Sequence, residues 1–448
     1  MSSLRSKLTY TQIIVLSFLS LILLGALALT LPISSRSGEW TSFIDSLFTA
    51  TSATCVTGLV VFDTYTHWSP FGQAVILLLI QIGGLGVMTC IATLALVLRR
   101  RISLGERRLL MQSAGSLQHS GVVQLLRRIV FGTALVELCG ALLLSIAFIP
   151  KMGFASGLWN SVFHSVSAFC NAGFDLMGKY GEFSSLTSAG LGDNPLVVLT
   201  LCVLIISGGM GFLVWGDLIK NRLHFKKFEV HSKIVLTCSA ALIVIGTLFF
   251  FIFENHNALD GMSFFQKLMH SLFQAVSPRT AGFNTVSLSS LTVSGYLLVM
   301  ILMFIGGSPG STAGGIKTTT FVVLLLNALT SARRYGSITV FKRKLDQNTV
   351  AQAGAIVTVY TAAVLIAVMI IAMLEPFSLT QILFETISAV ATVGLSTGIT
   401  AELSPLSHLV LIVLMFAGRI GGLTFVLVLA ERRINIPIDR PTVKILIG

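Results

Sequence analysis

Phe48-Thr-Ala-Thr-Ser52-Ala-Thr-Cys-Val-Thr-Gly58-Leu59 and Phe384-Glu-Thr-Ile-Ser388-Ala-Val-Ala-Thr-Val-Gly394-Leu395 share one skeleton although they stand 336 positions apart. Two further copies lie between them, Phe163-His-Ser-Val-Ser167-Ala-Phe-Cys-Asn-Ala-Gly173-Phe174 and Phe273-Gln-Ala-Val-Ser277-Pro-Arg-Thr-Ala-Gly282-Phe283. Each has a Phe, a Ser four residues on, and a Gly before Leu or Phe; the Ser-to-Gly gap is six, six, five and six residues. The glycines are 115, 109 and 112 residues apart, the regular period of internal repeats. The third loop is one residue short, which leaves its alignment before Thr280 open.

Around these loops the chain is apolar. Stretches at about 11–32, 71–98, 129–150, 195–219, 234–253, 295–331, 352–374 and 407–430 are each long enough to cross ~30 Å of hydrocarbon at 1.5 Å per residue. The first starts near Thr11 and runs into repeat-like sequence, so it reads as a span and not as a cleavable signal. The stretches 41–53, 159–169, 264–276 and 379–390 are too short to cross and read as re-entrant half-helices. Further glycines follow each loop at similar distances: Gly83-Gly84, Gly208-Gly209, Gly306-Gly307 and Gly418 lie 25, 35, 24 and 24 residues after the repeat glycine. A polar outer segment at about 175–194 lengthens the second interval. Each repeat therefore reads span, half-helix, glycine loop, span. The boundaries are 1–98, 99–225, 226–340 and 341–448, the last including the C-terminal tail.

Charge gives the topology. Arg99, Arg100, Arg101, Arg107, Arg108, Arg127 and Arg128 fall in one connection, and Lys220, Arg222, Lys226, Lys227 and Lys233 in the next but one. Arg333, Arg334, Lys342, Arg343 and Lys344 fall in a third, and Arg432 and Arg433 follow the last span. Alternate connections are nearly free of Lys and Arg, so the positive-inside rule puts both termini and the basic loops in the cytoplasm. The net charge of +12 is thus a topology signal and not a nucleic-acid footprint, and it leaves a basic inner face for an acidic partner or anionic lipid. A composition 54% hydrophobic and 11% charged, with mean hydropathy +0.89, excludes an ordinary water-soluble domain. The cysteines Cys55, Cys90, Cys139, Cys170, Cys202 and Cys238 are scattered singly through apolar sequence and read as small buried side chains.

Non-helical backbone at membrane depth survives only inside protein or beside water. Four glycine loops at equal depth therefore point to a ring around a central axis. Such loops can turn carbonyl oxygens inward to replace the hydration shell of a cation, and the negative C-terminal ends of the half-helices favour a cation below. Glycine kinks for helix packing explain single glycines, but not a fourfold recurrence that includes the half-helix. The stretch 295–331 is too long for one span and must be broken by Gly306, Gly307, Pro309, Gly310, Gly314 and Gly315. It is not a phosphate-binding loop, because Ile316 separates Gly315 from Lys317 and no strand precedes it. Arg419 is a charge inside an apolar span, which costs at least ~2.5 kcal/mol on insertion scales and marks a functional position; Lys317 is a weaker case. Glu137 reads as a carboxylate bonding neighbouring backbone, Asp45 and Glu385 as groups that position half-helices, and His164 and His270 as packing residues.

On the four loops, on Gly306-Gly-Ser-Pro-Gly-Ser-Thr-Ala-Gly-Gly-Ile-Lys317 and on Gly418-Arg-Ile-Gly421, the chain resembles the superfamily of K+ transporters that comprises Trk, Ktr and plant HKT proteins. Within it the chain is similar to the membrane subunit of bacterial Ktr systems, of the KtrB/KtrD type, over almost its whole length. The resemblance implies an all-α polytopic membrane protein whose four span–half-helix–filter loop–span repeats stand pseudo-fourfold around one ion pore. It implies a K+ filter at Cys55, Val56, Thr57 and Gly58, at Asn171, Ala172 and Gly173, at Thr280, Ala281 and Gly282, and at Thr392, Val393 and Gly394. A serine at the place of Gly58 goes with sodium selectivity in some plant relatives. It further implies a gating loop under the filter, made of Gly306, Gly307, Ser308, Pro309, Gly310, Ser311, Thr312, Ala313, Gly314, Gly315 and Lys317, with Arg419 projecting toward the pore.

The resemblance makes K+ the transported ion, with Na+ a candidate activator and no nucleotide bound by this chain. The partners it implies are a second copy of the chain, membrane lipid and a cytosolic nucleotide-binding ring subunit of the KtrA/KtrC type; the setting is the bacterial cell membrane. A Na+- or H+-coupled K+ symporter is the rival reading, and it needs a titratable or second-ion site at the midplane, of which no Asp/Glu/His relay is visible. An enzyme would need clustered catalytic or metal-ligating residues, and the sequence has no such cluster.

Overall fold

The computed structural model describes residues 10–87, 89–90, 122–183, 185–187, 190–222, 224–333 and 338–421. The basic residues Arg99–Arg108, Arg334, Arg432 and Arg433, and the end stretches of two expected spans at 91–98 and 422–430, lie outside the described residues.

The order long helix, short helix, glycine loop, helix occurs four times. It runs through α1 (Tyr10–Thr30), α2 (Phe43–Thr54) and α3 (Pro70–Leu85), then α4 (Val122–Met152), α5 (Phe154–Cys170), α6 (Pro195–Gly209) and α7 (Phe212–Asn221). It continues through α8 (Val230–Glu254), α9 (Phe264–Val276), α10 (Val293–Phe304) and α11 (Thr318–Ala332) to α12 (Gln347–Leu374), α13 (Leu379–Ala391) and α14 (Pro405–Ile420). A two-residue antiparallel hairpin, β1 (Thr339–Val340) and β2 (Arg343–Lys344), precedes α12.

Four of the expected spans are unbroken long helices, α1, α4, α8 and α12. Their apolar cores have hydropathies of 2.2–2.7 and are only 28–33% buried, so they form an outer layer that presents residues such as Leu24, Phe131, Val244 and Met369 to lipid. The other helices are short: α3, α6, α10 and α14 have 16, 15, 12 and 16 residues, about 18–24 Å, less than the hydrocarbon thickness. The expectation of uninterrupted spans fails here for one physical reason. Gly86, Gly211 and Gly421 adopt the same strained conformation, with φ of +86°, +93° and +96°, ending α3, separating α6 from α7 and ending α14. The expected span 195–219 is two helices meeting at 99°. Apolar composition runs unchanged through such a break, so hydropathy does not register it.

Their starts are local chemistry. Ser69, Asn194, Thr292 and Ser404 each accept a backbone N–H of the first turn, and Pro70, Pro195 and Pro405 occupy its first position. Half-helices α9 and α13 open with reciprocal capping boxes, Ser263–Gln266 and Ser378–Gln381. Each half-helix lies against its own long helix, while α3 packs on α5, α6 on α9, α10 on α13 and α14 on α2. These cross-contacts form a closed cycle. The repeat phenylalanines Phe48, Phe163, Phe273 and Phe384, all fully buried, fill the space behind the loops.

Candidate functional site

The four glycine loops share one backbone conformation. In each, the residue two positions before the glycine and the glycine itself have positive φ: Val56 and Gly58, Asn171 and Gly173, Thr280 and Gly282, Thr392 and Gly394. A β-branched residue at positive φ is a genuine outlier, so the surroundings of Val56, Thr280 and Thr392 must hold it there. The pairing also fixes the short third loop, in which Thr280 is the counterpart of Val56, Asn171 and Thr392.

The repeat serine does much of the holding. Its carbonyl accepts the N–H of the residue before each glycine, Thr57 to Ser52, Ala172 to Ser167, Ala281 to Ser277 and Val393 to Ser388, at 2.8–2.9 Å. Its hydroxyl grips the loop directly. Ser52 and Ser388 accept the glycine N–H of Gly58 and Gly394 at 3.0 and 3.1 Å, while Ser167 and Ser277 donate to the carbonyls of Phe174 and Phe283 at 2.7 and 2.5 Å.

The glycines then meet one another. A Cβ on Gly58 would fall 2.5 Å from the Ala172 carbonyl oxygen, one on Gly173 2.8 Å from that of Ala281, one on Gly282 2.6 Å from that of Val393, and one on Gly394 2.1 Å from that of Thr57. Each loop thus touches the next, and the fourth returns to the first. The absence of a side chain is required at all four positions by both φ and close approach. The hydroxyls of Thr57 and Thr392, both fully buried, have no hydrogen-bond partner.

On one side of this ring is a cavity of about 150 Å³ lined by all four glycines together with Asp63, Asp175, Asn284 and Ser396. Asp63 accepts the N–H groups of Tyr65 and Thr66 at 2.9 Å and of Phe183 at 3.2 Å, tying the first loop to the outer segment of the second. Burial pushes the Asp175 carboxyl up to about 6, with neighbouring Asp63 adding to the rise and the Met177 N–H opposing it. Glu385 accepts from Ser396, Thr397 and Thr400 at 2.7–3.2 Å and so fixes the cavity wall after the fourth loop, more than the half-helix positioning expected of it.

On the other side lies the stretch 305–317. Its base is stapled by a parallel bridge of Ile305 with Ile316, by Gly306 N–H to the Ile316 carbonyl at 2.9 Å and by Thr318 N–H to the Gly307 carbonyl at 3.0 Å. Ser308 donates to the Gly209 carbonyl from both N–H (3.0 Å) and hydroxyl (2.9 Å), and Thr312 donates to Gly208 and, through its hydroxyl, to Phe169. Phe212 N–H donates to Gly310, and a Cβ on Gly211 would meet the Pro309 carbonyl, so the break between α6 and α7 is where this loop docks. Gly314 and Gly315 approach Thr392 and Ala391 too closely for any side chain. Lys317 donates to the loop's own Ala313 and Gly314 carbonyls at 2.6 and 3.1 Å. Arg419, from α14, donates to the carbonyls of Thr312 and Gly83 and, at 3.1 Å, of Gly84.

The family model described as TrkH, cation transport protein, matches residues 4–439. The chain belongs to the TrkH family of cation transport proteins. Among relatives, it is 39% identical to the potassium/sodium uptake protein NtpJ of Enterococcus hirae, over 99% of this chain and 98% of that one. It is 40% identical to the Ktr system potassium uptake protein B of Bacillus subtilis, over 95% of this chain and 94% of the relative. The Ktr system potassium uptake protein D of Bacillus subtilis is 34% identical over 98% of each chain. The crystal structure of the potassium transporter TrkH from Vibrio parahaemolyticus superposes with a TM-score of 0.74 at 18% identity, covering 95% of this chain and 86% of that one, a likeness of fold.

In this TrkH-family chain the residues expected at the loops lie at the ring, with Cys55 one step behind it as the cap of α2; of the stretch below, Gly306, Thr312, Gly314 and Gly315 approach Thr280, Asn171, Thr392 and Ala391, while Ser308, Pro309 and Gly310 meet Gly209, Gly211 and Phe212. Glu137 differs from expectation: its carboxylate accepts from the Gln81 side chain at 3.3 Å, and its backbone carbonyl accepts the Ser165 hydroxyl at 2.6 Å. Asp63 and Asp175 also take part, and nothing in the sequence sets them apart from other loop carboxylates.

Proposed function

We propose that the chain takes up K+ across the bacterial cytoplasmic membrane, along the axis of the glycine ring. The closed cycle of glycine approaches is the observation that carries this reading. Four backbones of one conformation meeting around an axis supply carbonyl oxygens in a fixed array, the chemistry that replaces a K+ hydration shell. The unpartnered hydroxyls of Thr57 and Thr392 are further acceptors free for a passing cation. The half-helices end at the ring and add their negative termini. The four repeats, 1–98, 99–225, 226–340 and 341–448, are then one pseudo-fourfold pore unit with both termini cytoplasmic.

In this reading the stretch Gly306–Lys317 is the gate. It lies across the path on the side opposite the Asp63–Asp175 cavity, and Arg419 holds it closed through the Thr312 carbonyl. Opening is set by a cytosolic nucleotide-binding ring subunit acting on a dimer of this chain; the names of the relatives support the coarser part of this reading, that the chain works with other components of a Ktr system. Na+- or H+-coupled symport is the second reading, and the potassium/sodium uptake name of the Enterococcus hirae relative favours its Na+ form. The test is K+ uptake by a transport-deficient cell expressing this chain, with and without a candidate ring subunit. Reversal potentials in liposomes under separate K+, Na+ and H+ gradients decide between the two. Uniport predicts a potential set by K+ alone, and a shift under a Na+ or H+ gradient would establish coupling.

A further inference from the structure

Arg279 is the one charged side chain between the end of a half-helix and its repeat glycine, and the ring does not use it. It is 8% exposed, donates to the Ser239 hydroxyl at 3.0 Å, and its Nε is buried without a partner. Among the described residues no carboxylate pairs with it. Arginine keeps its charge in proteins, so a lone buried guanidinium with one neutral acceptor is an uncompensated cation.

The side chain lines a cavity of about 180 Å³ between α6, α8, α9 and the gate stretch, walled by Ile205, Gly209, Leu236, Ile243 and Gly307. Its mouth faces the apolar flank. Ile206 and Met210 continue the stripe Leu199–Val203, which is 49% and 61% exposed, and Ala240 is exposed on the facing helix. The walls are apolar apart from Ser239 and backbone, so an inorganic anion would gain one charge contact and lose its hydration elsewhere. Ser239 is nine residues into α8, about 14 Å from its Val230 end at 1.5 Å per residue. One guanidinium, one hydroxyl and otherwise apolar walls suit a single carboxylate on an alkyl chain better than the several oxygens of a phosphodiester headgroup.

We propose that this cavity binds a long-chain monocarboxylate, a fatty acid, with its carboxylate on Arg279 and its chain leaving between α6 and α8. The occupant borders Gly307 and Gly209, and Gly209 carries two of the hydrogen bonds that dock the gate stretch. Any effect on flux rests on the gate reading, but binding does not, and the test reads binding.

The full-length protein in nanodiscs is labelled with a photoactivatable palmitate and the adducts are mapped by mass spectrometry. Labelling is expected on 205–210 and 236–243, competed by palmitate and not by methyl palmitate, and reduced at least tenfold in Arg279→Gln. Ala240→Trp fills the mouth from an exposed position with Arg279 intact, and should reduce labelling to the same degree. The proposal is overturned if methyl palmitate competes equally, if Ala240→Trp labels like the natural chain, or if phosphatidylglycerol competes as well as palmitate, which would make the occupant a phospholipid. Where Arg279→Gln does not fold, the ester and Ala240→Trp arms still decide.

Discussion

Arg419 donates to the backbone carbonyl of Thr312, 107 positions earlier in the chain, while its other terminal nitrogen donates to Gly83 and Gly84. One side chain thereby joins the end of the fourth repeat, the stretch 306–317 of the third and the last turn of α3 in the first. Three carbonyl acceptors on two terminal nitrogens suit the planar fork of arginine and not the single ammonium of lysine.

Arg419→Ala should therefore raise K+ flux. Hydrogen bonds to a charged group contribute roughly 1.5–3 kcal/mol each, so loss of the one to Thr312 shifts a closed loop toward opening by about tenfold or more. Arg419→Lys separates anchoring from repulsion. It keeps the charge and loses the fork, so it should behave more like alanine than like arginine. Tracer flux in liposomes at matched protein density reads this; lysine as slow as arginine would make charge repulsion the dominant role.

The ring makes a graded prediction. A methyl at Gly394 would sit 2.1 Å from the Thr57 carbonyl, at Gly58 and Gly282 2.5 and 2.6 Å from theirs, and at Gly173 2.8 Å. Loss of preference for K+ over Na+ on Gly→Ala should follow that order, most severe at 394 and mildest at 173. Permeability ratios in well-expressed variants are the readout, and an order unrelated to the distances would separate the glycines from selectivity.

Shortening the gate stretch should increase basal flux. Deletions within 308–314 remove the Ser308 and Thr312 bonds to Gly209 and Gly208 while the serine grips on the glycine loops stay in place. Lower flux with intact assembly and unchanged selectivity would remove this stretch from gating.

Asp175 gives a pH dependence with a definite sign. Its carboxyl is raised from 3.8 to about 6 by burial, so the folded protein disfavours its charge. The stability contributed by the neutral form is full below about pH 3.8 and is lost as pH rises through about 6. On the proposed uptake path the order is reversed, because the anion would draw K+ into the cavity. The apparent KM for K+ should rise severalfold as pH falls from 7.5 to 5.5, and Asp175→Asn should abolish that dependence. A KM that is flat in the natural chain, or a slope retained in the variant, would contradict it.

Much of this architecture was readable from spacing alone. The loops were legible because a Phe, a Ser and a Gly recur at a period near 110, and all three types have geometric work: Phe48 behind the loop, Ser52 gripping it, Gly58 in contact with the next repeat. The break at Gly211 was not legible, because the composition of 195–219 stays apolar through a 99° turn, and what places the turn is a loop about 100 residues away. The partners of Arg419 are backbone carbonyls, which sequence does not distinguish. The register of the third loop awaited the positive φ of Thr280. Asp63 looked like an ordinary loop residue, since its clamp on Phe183 exists only after the repeats assemble.

On the proposed uptake path K+ is coordinated at the ring of Gly58, Gly173, Gly282 and Gly394. Anomalous diffraction from crystals of the transport-competent protein grown in Rb+ tests it directly. The expected result is a peak on the axis between the four loops, in contact with the carbonyls of Thr57, Ala172, Ala281 and Val393, that disappears when Rb+ is replaced by Na+. Rb+ peaks elsewhere along the chain with none at the ring would contradict it.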